Sequence, residues 1–234
     1  MDKPSVGRLI SIIRNSLRIV ANPKQRRHVF RWIASLEEDY LLKQRQPWFV
    51  FDAIDYLDGL SLKGKRVFEY GSGGSTLYWL DKMATCISIE HDSAWHDRFK
   101  TFISKYPGIE YRLVPPDISS EYDSNAHPAD PDAYKSSLEQ FASSNFRDYA
   151  GQIDTFPDRF FDVVLIDGRA RPSCIKHGAR KVCANGLLIL DNSDREYYLE
   201  RTGPFLEGFQ RKEFSGIGPT SEACWKTDIF IRQE

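Results

Sequence analysis

The chain has no surplus of charge of either sign: 32 Lys and Arg face 33 Asp and Glu over 234 residues, a formal net charge of −1. Nothing global therefore draws it to nucleic acid, whose binding proteins carry a basic excess. Cysteine is scarce as well. Cys86, Cys174, Cys183 and Cys224 include no C-x-x-C pair, so a paired-thiol centre is excluded, and their mostly apolar surroundings predict buried free thiols. No apolar run approaches the roughly 20 residues that a bilayer-crossing helix needs. A signal-peptide layout, internal repeats and low-complexity tracts are also missing, which sets the expectation of a cytoplasmic, single-domain protein.

What is present is concentrated in Arg66-Val-Phe-Glu-Tyr-Gly-Ser-Gly-Gly-Ser-Thr76. Val67, Phe68 and Tyr70 suit a buried strand, and Gly71, Gly73 and Gly74 permit a tight turn and close backbone approach. Ser75 and the apolar run after it read as a helix start. A second strand, Thr85-Cys-Ile-Ser-Ile-Glu90, ends in a carboxylate about 20 residues beyond the glycines, a spacing that suits a ribose diol. Two nucleotide-like cofactors fit such a turn. A dinucleotide fingerprint wants a third glycine where Thr76 stands, and Glu69 would repel a pyrophosphate. The same carboxylate is favourable near the cationic methionine end of S-adenosylmethionine (SAM).

At Glu69-Tyr-Gly-Ser-Gly73 the chain resembles the class I SAM-dependent methyltransferases, whose first motif is an acidic residue, any residue, then Gly-x-Gly. The resemblance runs from about Leu60 to Arg232. It implies a Rossmann-like sheet of seven strands, the last antiparallel and inserted beside the sixth. In cofactor binding it implies roles for Glu69, Gly71, Ser72, Gly73, Glu90 and His91.

The remaining sequence alternates strand and helix. Ser93 to Tyr106 carries Trp95, Phe99, Phe102 and Ile103 at helical spacing, and Ile109 to Val114 reads as a third strand. Phe161 to Asp167 is the near-continuous apolar run of a central parallel strand, Pro172 to Val182 its helix, and Gly186 to Leu190 a fifth strand before Asp191-Asn192. Two tail strands follow, near Phe209 to Phe214 and Cys224 to Arg232. This order predicts an α/β, doubly wound, mostly parallel sheet with its ligand at the C-terminal strand edge, where Glu69, Glu90, Asp167 and Asp191 all fall.

The fourth strand speaks to chemistry. Ile166-Asp-Gly-Arg-Ala-Arg171 lacks the Asn/Asp-Pro-Pro-aromatic signature of many N-methyltransferases, and Asp167 with Asp191-Asn192 resembles the divalent-metal-dependent O-methyltransferases. That resemblance implies Mg²⁺ held by Asp167, Asp191 and Asn192 against an acceptor hydroxyl, whose pKa the cation lowers. The chain departs from those enzymes at Ala170, where the catechol-type members place a lysine base, so His177 or the metal alone is expected to act with Asp167. The other reading is that Asp167 positions substrate and Asp191-Asn192 caps a helix. Arg169 and Arg171 lie at a helix N-terminus, where the dipole disfavours cations. With Arg195 they form a candidate mouth for an acceptor carboxylate or phosphate, unless nearby acids pair them.

The expected activity is SAM-dependent O-methylation of a small-molecule or sugar-like hydroxyl. Two other classes stay open: a non-catalytic SAM-fold protein that binds a partner, and an aminopropyl transferase of the polyamine-synthase type, which the arginine-rich edge disfavours. Residues 1–59 read as an N-terminal helical extension to a 60–234 methyltransferase domain. Its first helix carries a stripe of Val6, Ile10, Ile13, Leu17 and Val20 with basic residues from Lys3 to Arg31, fit to cover the sheet, seal a homodimer or touch an anionic membrane. A second helix is expected from about Pro23 to Lys43, and another carrying Phe51, Ile54 and Leu57. The insertion at about 115–140 reads as a lid, with Tyr122, His127 and Tyr134 able to meet substrate.

Overall fold

The computed structural model describes residues 6–118 and 126–234; Lys3 and Tyr122 lie outside them. Seven strands form the main sheet: β1 (Arg66–Tyr70), β2 (Thr85–Glu90), β3 (Ile109–Leu113), β4 (Phe161–Ile166), β5 (Val182–Asp191), β6 (Phe209–Gly216) and β7 (Trp225–Arg232). Their order is β3-β2-β1-β4-β5-β7-β6. β1 pairs in parallel with β2 and β4, β4 with β5, and β7 runs antiparallel between β5 and β6. The crossover between β1 and β4 is where the chain reverses its winding, and a crevice opens there at the C-terminal strand ends.

Strand alternation divides the core in two. Val67, Val163, Leu165, Leu187 and Ile189 point to one face, while Phe68, Tyr70, Val164, Ile166, Leu188 and Leu190 point to the other. Both faces are therefore covered, as the apolar runs require. Cys86 and Cys174 are buried with them, whereas Cys224 is exposed.

The helices are α1 (Val6–Ala21), α2 (Val29–Ala34), α3 (Tyr40–Lys43), α4 (Phe51–Asp58), α5 (Gly74–Asp81), α6 (Ser93–Ile103), α7 (Arg147–Gly151), α8 (Arg171–Gly178) and α9 (Tyr197–Glu200). Two expectations are corrected at the N-terminal end. The segment from Pro23 to Lys43 is not one helix: α2 stops at Ser35, and the left-handed Asp39 (φ 56°) turns the chain into α3. The stripe of Ile10, Ile13, Leu17 and Val20 faces solvent, because α1 buries its opposite side through Asn15 and Ile19. Trp32, Phe49, Phe51 and Ile54 pack into the same core as Val67 and Leu77, so residues after α1 build the sheet's cover directly. In the insertion, Asp117–Ile118 pairs with Ser144–Asn145, and Ala129 and Tyr134 are buried.

Candidate functional site

The turn after β1 is tight for a reason visible in its glycines. Gly71 adopts φ 92°, and a Cβ there would stand 3.2 Å from Gly168 Cα on the neighbouring β4 turn. This close approach lets the two strand ends share one crevice. Glu69, one residue before the end of β1, is fully buried beneath the turn. Its carboxylate accepts hydrogen bonds from Ser75 Oγ (2.5 Å), Thr76 Oγ1 (2.5 Å) and Ser88 Oγ (2.8 Å). Thr76 Oγ1 in turn accepts from the Gly73 amide at 3.0 Å, so Glu69 anchors the first turn of α5. Burial pushes its pKa up to about 7 against the pull of these hydroxyls. Glu69 lines neither of the cavities described next.

A cavity of about 730 Å³ occupies the strand edge, within the size range of small-molecule and cofactor sites. Gly71, Ser72, Glu90, His91, Asp167, Arg169, Arg171, Asp191, Asn192 and Arg195 line it, with Trp48, Trp95, Trp225 and Phe141 as aromatic walls. A second cavity of about 380 Å³ lies across the glycine turn, against Gly73, Gly74, Ser75 and the α3 residues Tyr40 to Leu42. Ser72, Trp48, Trp95 and Asp167 belong to both, so the two spaces meet at the turn.

Glu90 is the most strongly held acid of the cavity. Its Oε2 accepts from the Ser72 amide (3.1 Å) and hydroxyl (2.9 Å), and its Oε1 from the amides of His91 (2.8 Å) and Asp92 (3.0 Å). Burial alone would raise its pKa; the His91 side chain and these amides instead hold it down at about 2. Arg169 Nε donates to His91 Nε2 at 3.2 Å, and His91 Nδ1 lies 2.8 Å from Glu90 Oε1.

At the ends of β4 and β5, Asp167 and Asp191 are each held by one carboxylate oxygen. Arg171 donates to Asp167 Oδ1 at 3.0 Å, to the Gly168 carbonyl at 3.2 Å and to the Asp191 carbonyl, and its side chain is buried. Asp191 Oδ1 is taken by Thr227 Oγ1 (2.7 Å) and Trp225 Nε1 (2.9 Å). One oxygen of each carboxylate is thus engaged, and the Arg171 guanidinium supplies positive charge to both. Burial, then Asp191, still raises the pKa of Asp167 well above the ordinary carboxylate range. The left-handed Ala170 (φ 46°) bends the turn that carries Arg171 back over the strand ends.

Arg169 and Arg195 are placed differently. Arg169 meets His91 and lies over the Phe141 ring, and Arg195 donates to the Tyr198 hydroxyl at 2.9 Å. Neither has a carboxylate within salt-bridge distance among the described residues, so Asp194 and Glu196 do not pair them. His177 is away from the cavity. Its Nδ1 lies 2.6 Å from Asp154 Oδ2 and its Nε2 3.1 Å from the Tyr134 hydroxyl, an arrangement that fastens α8 to the insertion. His127 faces the Tyr197 ring at 6.4 Å.

Sequence reasoning missed the part of Arg171, although its four-residue spacing from Asp167 was a signal for an ion pair. It also missed the α3 wall and Trp48, for which the N-terminal sequence carries no cofactor signature.

No protein-family model and no curated protein matches the chain. Among solved structures, a putative O-methyltransferase from Klebsiella pneumoniae aligns over 100% of this chain and 92% of its own, at 12% identity and a TM-score of 0.52. A methyltransferase-like protein from Silicibacter pomeroyi aligns over 78% of this chain and 86% of its own, at 22% identity and a TM-score of 0.47. The N-methyltransferase NodS from Bradyrhizobium japonicum does so over 79% and 96%, at 13% identity and a TM-score of 0.47. The strand order and the first of these likenesses agree: the fold is the Rossmann-like fold of the class I SAM-dependent methyltransferases.

Proposed function

We propose that the protein is a SAM-dependent methyltransferase acting on a hydroxyl of a small acceptor that carries an anionic group. The observation that carries this reading is Glu90, ionised by its hydrogen bonds at the mouth of the glycine turn and facing a cavity large enough for cofactor and acceptor. Glu90 takes the ribose hydroxyls, Gly71, Ser72 and Gly73 line the cofactor's path, His91 steadies Glu90, and Glu69 anchors the turn from beneath.

In the transfer step the acceptor oxygen attacks the sulfonium methyl in line. The new O–CH₃ bond forms as the S–CH₃ bond breaks, and S-adenosylhomocysteine leaves. Asp167 is the group placed to receive the hydroxyl proton, since it stands where the two cavities meet. Arg171 and the surrounding backbone fix its orientation without a metal. Arg169 and Arg195, which have no carboxylate within salt-bridge distance among the described residues, receive the acceptor's carboxylate or phosphate.

The test is the appearance of S-adenosylhomocysteine when wild type is offered SAM with acidic and with neutral hydroxylated compounds, repeated on Arg169→Ala and Arg195→Ala. Turnover of acidic compounds, raised in KM by either substitution, is the expected result. Turnover confined to neutral compounds overturns the anionic acceptor, and SAM binding without transfer to any acceptor overturns the catalytic reading in favour of partner binding.

A further inference from the structure

The solvent-facing stripe of α1 is absorbed by neither the fold nor the site. Leu9, Ile10, Ile13, Leu17 and Val20 run along one side of a helix of 16 residues, with Leu17 65% exposed, while Asn15 and Ile19 fill the buried side. On the next helix Phe30 is 82% exposed. A folded protein rarely leaves such a row of large apolar side chains in water without a use for it.

The charges around the stripe select its occupant. No Asp or Glu occurs between Lys3 and Leu36. Arg14, Arg18, Lys24 and Arg26 are exposed; Arg14 acts on Glu222, whose Oε1 accepts from Ser11 Oγ at 2.7 Å. Arg27 and Arg31, by contrast, are paired with Asp52 and Asp55. A second copy of the chain packed on this stripe would bring the Arg14 and Arg18 flanks of both molecules together with no acid in either helix to relieve them. An anionic lipid surface relieves them and takes up the apolar side chains at once.

We propose that α1, with Phe30 of α2, docks on an anionic bilayer surface, the stripe entering the headgroup boundary and Arg14, Arg18, Lys24 and Arg26 meeting lipid phosphates. The protein-facing side of the same two helices is tied to the cavity rim. Ser11 holds Glu222, and Trp32 Nε1 donates to the Ser221 carbonyl at 2.7 Å, while Ser221, Ala223 and Cys224 line the larger cavity. The proposal concerns binding and holds whether or not methyl transfer is the activity.

Co-sedimentation of the full chain with vesicles tests it. Binding is expected to vesicles of phosphatidylcholine mixed with phosphatidylglycerol, falling with added salt. Vesicles of phosphatidylcholine alone should leave the chain in the supernatant. Arg14→Glu with Arg18→Glu is expected to weaken partitioning by on the order of tenfold or more, and Ile13→Asn with Leu17→Asn to abolish it. Circular dichroism checks that these exposed positions leave the fold intact. Absence of binding to the anionic vesicles, or equal binding to both kinds, overturns the proposal. A concentration-dependent dimer lost on Leu17→Asn assigns the stripe to a second copy and overturns it as well.

Discussion

Burial acts on the two glutamates of the cofactor edge with opposite results, because their donors differ. Glu90 is held by amides that cannot turn away and stays ionised to about pH 2, so its stabilisation is present above the ordinary value of 4.5 and is lost as pH falls toward 2. Glu69 is held by hydroxyls in a fully buried site and rises from 4.5 to about 7. A raised folded-state pKa gives stability that is complete below 4.5 and is lost as pH rises through about 7, an interval that corresponds to roughly 3 kcal/mol. Glu69→Gln removes that loss. Urea midpoints at about pH 5 and about pH 8 should therefore fall in wild type more than in Glu69→Gln, whose midpoint stays nearly level. Equal slopes would show that Glu69 is ionised throughout.

Arg171 is the residue on which the β4 and β5 ends depend. Removing it takes from Asp167 and Asp191 the guanidinium that binds both strand ends, a loss expected to cost about 3–5 kcal/mol. Chemical denaturation of Arg171→Met measures it. The companion expectation is that excess chelator leaves the wild-type activity unchanged; a fall in activity restored by Mg²⁺ would contradict the arginine's role as the resident cation.

Among the elements, α5 is the one most constrained by what surrounds it. Its first residue, Gly74, faces the carbonyls of Gln46 and Leu41, and a methyl group there would land on the Gln46 oxygen. Gly74→Ala must push α5 away from the α3 segment, at a cost of about 1–3 kcal/mol, and thermal unfolding should register it along with weaker cofactor binding. The strands and the glycine turn were legible in the sequence because burial on both faces leaves uninterrupted apolar runs, as in Val163 to Ile166 and Leu187 to Leu190. The span from Pro23 to Lys43 was not, since nothing in its composition announces the left-handed turn at Asp39. The orientation of α1 was hidden for a related reason. Its buried side is made of Asn15 and Ile19, whereas its strongest apolar stripe is the side left in water.

For the whole molecule, the residues that line the cavities come from far apart in the chain: Tyr40 and Trp48 from the N-terminal segment, Ser72 and Glu90 from the first crossover, Asp167 and Asp191 from the centre, and Trp225 from the closing hairpin. Glu90 and Ser72 could be assigned to this edge from spacing, because the βαβ unit fixes where they emerge. Trp48 and Phe141 could not, because connecting segments of no fixed geometry bring them in. The central claim is that this edge binds SAM through Glu90, and calorimetric titration of SAM into wild type and Glu90→Ala tests it most directly. Saturable binding to wild type is expected, weakened in Glu90→Ala by about 1.5–3 kcal/mol, the worth of hydrogen bonds to a charged group. Absence of SAM binding to wild type, or equal affinity of the two proteins, would contradict the account.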